Sequence, residues 1–210
     1  MIKYPRTPHL PWSPGFSDDD IHYRNLNRFD GQYVVVTEKM DGENTTLYRD
    51  AIHARSLDSA HHPSRSWVKG LQGQIAHSIP EGWRLCGENC YAVHSLAYSG
   101  LPSYFFLFSI WDEKNCCLSW SETEEWAALL ELELPPILYK GLFSEQQIRK
   151  LTDGLDPKSQ EGLVVRLANG FSYEEFGDSV AKWVRAGHVT TDEHWMSRPV
   201  VANGLIEEIL

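Results

Sequence analysis

Glu38-Lys39-Met40-Asp41-Gly42-Glu43-Asn44 is the stretch on which the reading of this chain turns. Ahead of it, residues 32–39 (Gln-Tyr-Val-Val-Val-Thr-Glu-Lys) read as an apolar strand that becomes polar at its end. Asp41-Gly42 then supplies a turn, and a second, polar strand leads away. Protonated lysine is a poor nucleophile; a strand end in a pocket can desolvate it enough to attack. The same residues also suit a surface lysine before a hairpin, because Asp-Gly is a common hairpin dipeptide. Taken alone, the stretch decides little.

Working outward, residues 5–16 carry Pro5, Pro8, Pro11 and Pro14 and should form an extended arm. Thr45–Tyr48 and Ile52–Arg55 read as a hairpin turning near Arg49-Asp50. Trp67, Leu71 and Ile75, four apart, predict one face of a helix. Trp83–Gly87, Tyr104–Trp111, Cys116–Trp120, Glu161–Leu167 and Val180–Val184 are strand-like. Ser121 with Glu124, and Ser144 with Gln147, have capping-box spacing ahead of two further helices. Strands with irregularly interspersed helices predict an α+β fold. Residues 1–30 read as a proline-rich arm and lead-in, and 31–210 as one domain.

The chain has 210 residues and a formal net charge of −10, which argues against a protein that coats nucleic acid nonspecifically. A narrow basic cleft remains compatible with that charge. Met1 to Arg6 has no apolar stretch behind it, so a secretory signal is not expected. No run is long enough to span a bilayer. Cys86, Cys90, Cys116 and Cys117 match no zinc or redox spacing and read as reduced cytoplasmic thiols.

Further segments accompany the lysine in order: His53-Ala54-Arg55-Ser56, Leu85-Cys86-Gly87-Glu88-Asn89, residues 104–111 (Tyr-Phe-Phe-Leu-Phe-Ser-Ile-Trp), residues 161–166 (Glu-Gly-Leu-Val-Val-Arg) and Ala181-Lys182-Trp183-Val184-Arg185. Together with Lys39-Met40-Asp41-Gly42 they resemble motifs I, Ia, III, IIIa, IV and V of the covalent nucleotidyltransferases, the superfamily of polynucleotide ligases and mRNA capping enzymes. Asn44, the 21-residue step from Glu161 to Lys182, and residues 87–95 (Gly-Glu-Asn-Cys-Tyr-Ala-Val-His-Ser) are similar to the RNA-ligase-2-like group. Thr191–Trp195 resembles a tail of its bacterial members.

The resemblance implies a nucleotidyltransferase (adenylation-domain) fold of antiparallel sheets flanked by helices, with ATP held between them. It implies an ATP-dependent RNA ligase joining a 5′-phosphate to a 3′-hydroxyl end, at a nicked duplex or in single strands, with Mg2+ or Mn2+. By resemblance, Lys39 takes up AMP, Lys182 contacts the α-phosphate, and Glu161, with Glu88 second, faces the metal. Glu88 and Arg55 would lie at the ribose and phosphate, and Phe105 would stack on adenine, with Phe106 as the alternative. Glu38, Asp41, Gly42, Asn44 and Arg185 complete the expected nucleotide site. The implied protein is a cytoplasmic monomer without membrane contact; an accessory protein is left open.

Three departures stand out. Val184 occupies the place of a second motif V lysine, so Arg185 would replace that charge from the opposite strand face. Only 25 residues follow Arg185, too few for the C-terminal domain of larger members, so a minimal domain is expected. His61-His62, near Arg65 and Lys69, could contact RNA phosphates or simply form a polar loop. The acidic balance favours recognition of ends or nicks. Rival readings are a DNA ligase or capping enzyme with the same lysine chemistry, and a silent nucleotide-binding module.

Overall fold

A computed structural model describes residues 1–15, 20–23, 25–57, 62–187 and 199–206. In chain order the strands are β1 (Tyr33–Lys39), β2 (Glu43–Leu47), β3 (Ile52–Ala54), β4 (Arg84–Asn89), β5 (Phe105–Trp111), β6 (Cys116–Cys117), β7 (Ile137–Leu142), β8 (Gly162–Leu167), β9 (Phe171–Ser172) and β10 (Val180–Val184). The α-helices are α1 (Ser66–Ile75), α2 (Trp120–Leu129), α3 (Glu145–Gly154) and the short α4 (Phe176–Ser179).

The strands form two antiparallel sheets, one in the order β10-β8-β1-β7 and the other β3-β2-β4-β5-β6-β9. Side chains alternate along a strand. In the first sheet Val34, Val36, Leu163, Val165 and Ala181 therefore pack inward with Leu10, Phe29 and Ile148. Thr37, Lys39, Val164 and Lys182 share the opposite face and line the cleft. Antiparallel register sets Lys39 opposite Gly162, and Lys182 opposite Val164. The second sheet packs Leu47, Leu85, Phe105, Leu107 and Ile110 against Val68 and Ile75 of α1 and Ala127 of α2.

The arm is extended, as expected of its prolines. Lys182 N–H donates to the Pro8 carbonyl (2.9 Å) and Leu10 N–H to the Lys182 carbonyl (2.7 Å), so the arm runs beside β10. Three expectations need correction. The cap of α2 is Ser119 with Glu122, two residues before the expected pair; Glu122 Oε2 accepts from Ser119 N–H at 2.8 Å. Cys116–Trp120 is a strand only over its first two residues, because Trp120 already begins that helix. Strand β7 went unforeseen: its half-exposed Ile-Leu-Tyr-Lys-Gly-Leu has no clean alternation and becomes a strand by pairing with β1. Among the described residues, no helix is long and apolar enough to cross a membrane.

Candidate active site

A cavity of about 530 Å3 opens between the two sheets. Lys39 leaves the end of β1 into it, and its Nζ lies 2.5 Å from Glu161 Oε2. Glu161 is buried immediately before β8 and next to Gly162, which no larger residue could replace. A Cβ there would stand 2.0 Å from the Trp183 carbonyl oxygen, so glycine is what lets β10 and Lys182 lie this close. From the second sheet come Asn44 on β2, Arg55 just after β3, and Glu88 on β4.

Charge and burial oppose each other here. Burial alone would depress the Lys39 pKa, but Glu161 and then Glu88 more than offset it, and the ammonium is held well above its ordinary range. Burial pushes Glu88 up to about 8, against the pull of Lys39 and with the push of Glu161. Glu161 is likewise raised by burial, with Lys39 pulling the other way. Burial and the neighbouring Lys39 both lower Lys182. Burial lowers Arg55 as well, helped by Arg6 of the arm.

Lys39, Glu38, Gly42, Asn44, Arg55, Glu88 and Lys182 all line the cleft, and Glu161 joins them through Lys39. Gly42 admits a close approach: a Cβ there would meet the Asn89 carbonyl oxygen at 2.5 Å. Three expected nucleotide contacts are not among the lining side chains. Asp41 turns away, its Oδ2 accepting from Ser95 N–H (2.8 Å), Ser95 Oγ (2.8 Å) and Leu96 N–H (2.6 Å), which fixes the loop behind the lysine. Arg185 lies just past β10 with its backbone N–H on the Glu161 carbonyl (3.0 Å).

Phe105, expected to stack on adenine, is fully buried in the core over Gly87, where a Cβ would meet its ring at 2.3 Å. Phe106 is buried too, against Met40 and Cys90. Of the aromatic rings on β5, Phe108 is the one that lines the cleft. Gly87 pairs with Leu107 and Cys86 with Ser109, so Phe108 is the extra residue of a β-bulge. A bulge re-aims a side chain, and strict alternation from the sequence could not anticipate it.

The sequence also gave no sign of a buried ion pair in the cleft wall, Arg65 Nε to Glu43 Oε2 at 2.6 Å and Nη2 to Oε1 at 2.5 Å. That pairing commits Arg65 to Glu43. Of the histidine pair, His61 lies outside the described residues; His62 caps the turn after it through Ser64 N–H (3.4 Å). Thr191–Trp195 also lies outside them. Arg166, which ends the Glu-Gly-Leu-Val-Val-Arg segment, donates from its guanidinium to the Phe108 (3.2 Å) and Leu118 (2.8 Å) carbonyls and ties one sheet to the other.

Asn44 Oδ1 and Trp120 Nε1 are buried in cleft-lining residues without a hydrogen-bond partner among the described residues. Among the described residues no three His, Cys, Asp or Glu side chains gather as a metal cage. Glu88 and Glu161 nevertheless suit magnesium, which needs only one or two carboxylates beside substrate phosphates and water.

Paired antiparallel sheets with a lysine, two carboxylates and a second lysine in the cleft between them define a ligase-type nucleotidyltransferase domain. The sequence profile of the RNA ligase family matches residues 32–184, and the chain belongs to that family. Solved structures of similar fold include a putative ATP-dependent DNA ligase from Aquifex aeolicus (20% identity, TM-score 0.59, 88% of this chain and 50% of that one). An archaeal ATP-dependent RNA ligase matches at 14% identity and TM-score 0.61, over 88% of this chain and 48% of the other. A Naegleria gruberi RNA ligase mutant solved with ATP and Mn matches at 21% identity and TM-score 0.53, over 76% of this chain and 52% of that one. The chain spans about half the length of these structures. No curated protein sequence matches it.

Proposed function

We propose that this protein is an ATP-dependent RNA ligase that works through a lysyl-AMP intermediate. The observation that carries this reading is Lys39 Nζ in the cleft, 2.5 Å from the buried Glu161. Glu161 first takes a proton from the Lys39 ammonium, and the neutral amine attacks the α-phosphorus of ATP; the Nζ–phosphorus bond forms as the bond to pyrophosphate breaks, and the second proton leaves to solvent. AMP then passes to the 5′-phosphate of an RNA end, and the 3′-hydroxyl of a second end displaces it. Such transfer depends mainly on positioning and on neutralising charge. Lys182, two register positions from Lys39 across β8, is placed to offset charge on the α-phosphate.

Glu88 and the free oxygen of Glu161 would hold a divalent cation, which supplies neutralisation of the phosphates when bound. The Naegleria gruberi ligase solved with ATP and Mn supports both partners. Phe108 replaces Phe105 as the ring proposed to stack on the base, with Arg55 and Asn44 toward the ribose and phosphates. Residues 31–210 would form the adenylation unit, and 1–30 its lead-in. Free thiols at Cys86, Cys90, Cys116 and Cys117 suit a reducing cytoplasm.

The test is incubation with ATP labelled at the α-phosphate and magnesium, after removing any AMP already attached, beside Lys39→Ala. Label on the wild type alone is expected; label on neither protein would leave only nucleotide binding. The likeness to a putative DNA ligase makes strand choice a second reading. Sealing of nicks with RNA or DNA on either side of the break decides it, and the RNA reading expects sealing with an RNA 3′-hydroxyl strand.

A further inference from the structure

The N-terminal arm precedes the stretch that the family profile matches, which begins at residue 32, yet Tyr4, Pro5 and Thr7 line the cleft. Hydrogen bonds fix it on both sides of Tyr4. Ile2 N–H donates to the Tyr48 hydroxyl (2.8 Å), and the Tyr173 hydroxyl donates to the Lys3 carbonyl (2.7 Å). Farther along, the pairing of Pro8 and Leu10 with Lys182 holds the arm against β10.

Between these anchors the Tyr4 ring sits edge-on against Phe108, with centroids 5.2 Å apart and planes at 66°. On its other side it meets Phe176 at 5.2 Å and 82°. Both are favourable aromatic geometries. The Tyr4 hydroxyl meets Ser109, itself a cleft residue. Phe108 is the bulged residue of β5, with no partner across from it on β4, so ladder pairing does not fix its ring. Among the described residues its aromatic partner is Tyr4.

We infer that Tyr4 is a positioning residue for the nucleotide: from the arm, it backs Phe108 and sets the depth of the base pocket. The arm is thereby a wall of the ATP site that helps determine which base fits. Because Tyr4 faces the cavity, truncating it lengthens the pocket instead of leaving a sealed void in the core. The inference rests on the adenylation reading and on Phe108 as the stacking ring.

Full-length Tyr4→Ala and Tyr4→Phe proteins test it through initial rates of self-labelling at varied ATP, a comparison with labelled GTP, and thermal melting. Tyr4→Ala is expected to raise the KM for ATP about tenfold, the scale of one lost aromatic contact, with kcat nearly unchanged and the preference for ATP over GTP reduced. Tyr4→Phe keeps the ring and should restore both KM and preference. Wild-type KM and base preference in Tyr4→Ala would overturn the inference. So would a joint fall of kcat and melting temperature that Tyr4→Phe does not rescue. Should wild type take no label, the adenylation reading fails by itself. Equilibrium binding of ATP to the same proteins then decides, and equal Kd for wild type and Tyr4→Ala overturns the role of Tyr4.

Discussion

Lys39 holds its charge where burial opposes it, and the carboxylates around it decide its state. Replacing Glu161 with Gln removes the nearest of them and the group that fixes Nζ. Labelling by ATP should fall on the order of 100-fold, as for loss of one preorganised electrostatic contact, and single-turnover kinetics checks this. Lys182→Ala should give a similar loss without weakening the fold, since its side chain is not in the core cluster around Ala181. The aromatic register is tested by a pair of variants. Phe105→Ala should cost about 3–5 kcal/mol in denaturant unfolding, as a large core truncation does. Phe108→Ala should cost about 2 kcal/mol or less while raising the KM for ATP. The reverse pattern would restore the sequence-based choice.

Among the elements, α2 offers the clearest local test, because two Ser-x-x-Glu patterns overlap at its start. Ser119 Oγ accepts from Glu122 N–H at 3.3 Å, whereas Glu124 instead pairs with Lys140 at 2.5 Å. Ser119→Ala should cost about 1 kcal/mol and Ser121→Ala about half that or less. The Ser119 side-chain hydroxyl and then its backbone N–H hold the Glu122 carboxyl below its ordinary pKa. A depressed carboxylate stabilises the fold above its unfolded pKa of about 4.3 and loses that contribution as pH falls through the folded value. Unfolding at low pH should therefore show a smaller difference between wild type and Ser119→Ala than at neutral pH. The sequence pattern predicts the cap at Ser121 with Glu124; it falls at Ser119 because Trp120 already begins the helix, its backbone N–H donating to the Ala168 carbonyl at 2.8 Å.

Across the whole molecule, the site exists only because two sheets face each other. Lys39, Glu161 and Lys182 belong to one, and Asn44, Arg55, Glu88 and Phe108 to the other. Arg166 joins them by donating from β8 to carbonyls of Phe108 and Leu118. Arg166→Met should destabilise the protein by about 2–3 kcal/mol in denaturant unfolding, since buried carbonyls lose charge-assisted donors. It should also weaken ATP binding by loosening the cleft. With a net charge of −10, the protein should bind RNA through a limited basic surface. Its affinity for nicked duplex should fall steeply with added salt, as equilibrium binding at several salt concentrations would measure.

The resemblance carried by the segments around Lys39, Arg55, Glu88, Glu161 and Lys182 was enough to expect the family and these cleft residues. Strand periodicity likewise gave β1, β8 and β10, whose alternation is local. Tertiary structure alone decided the rest. The bulge that exchanges Phe105 for Phe108 depends on how β5 pairs with β4. The turn of Asp41 toward Ser95, the Glu43–Arg65 pair and the arm beside β10 each join residues distant in sequence. No local pattern encodes such contacts, since they arise only when the sheets close on each other.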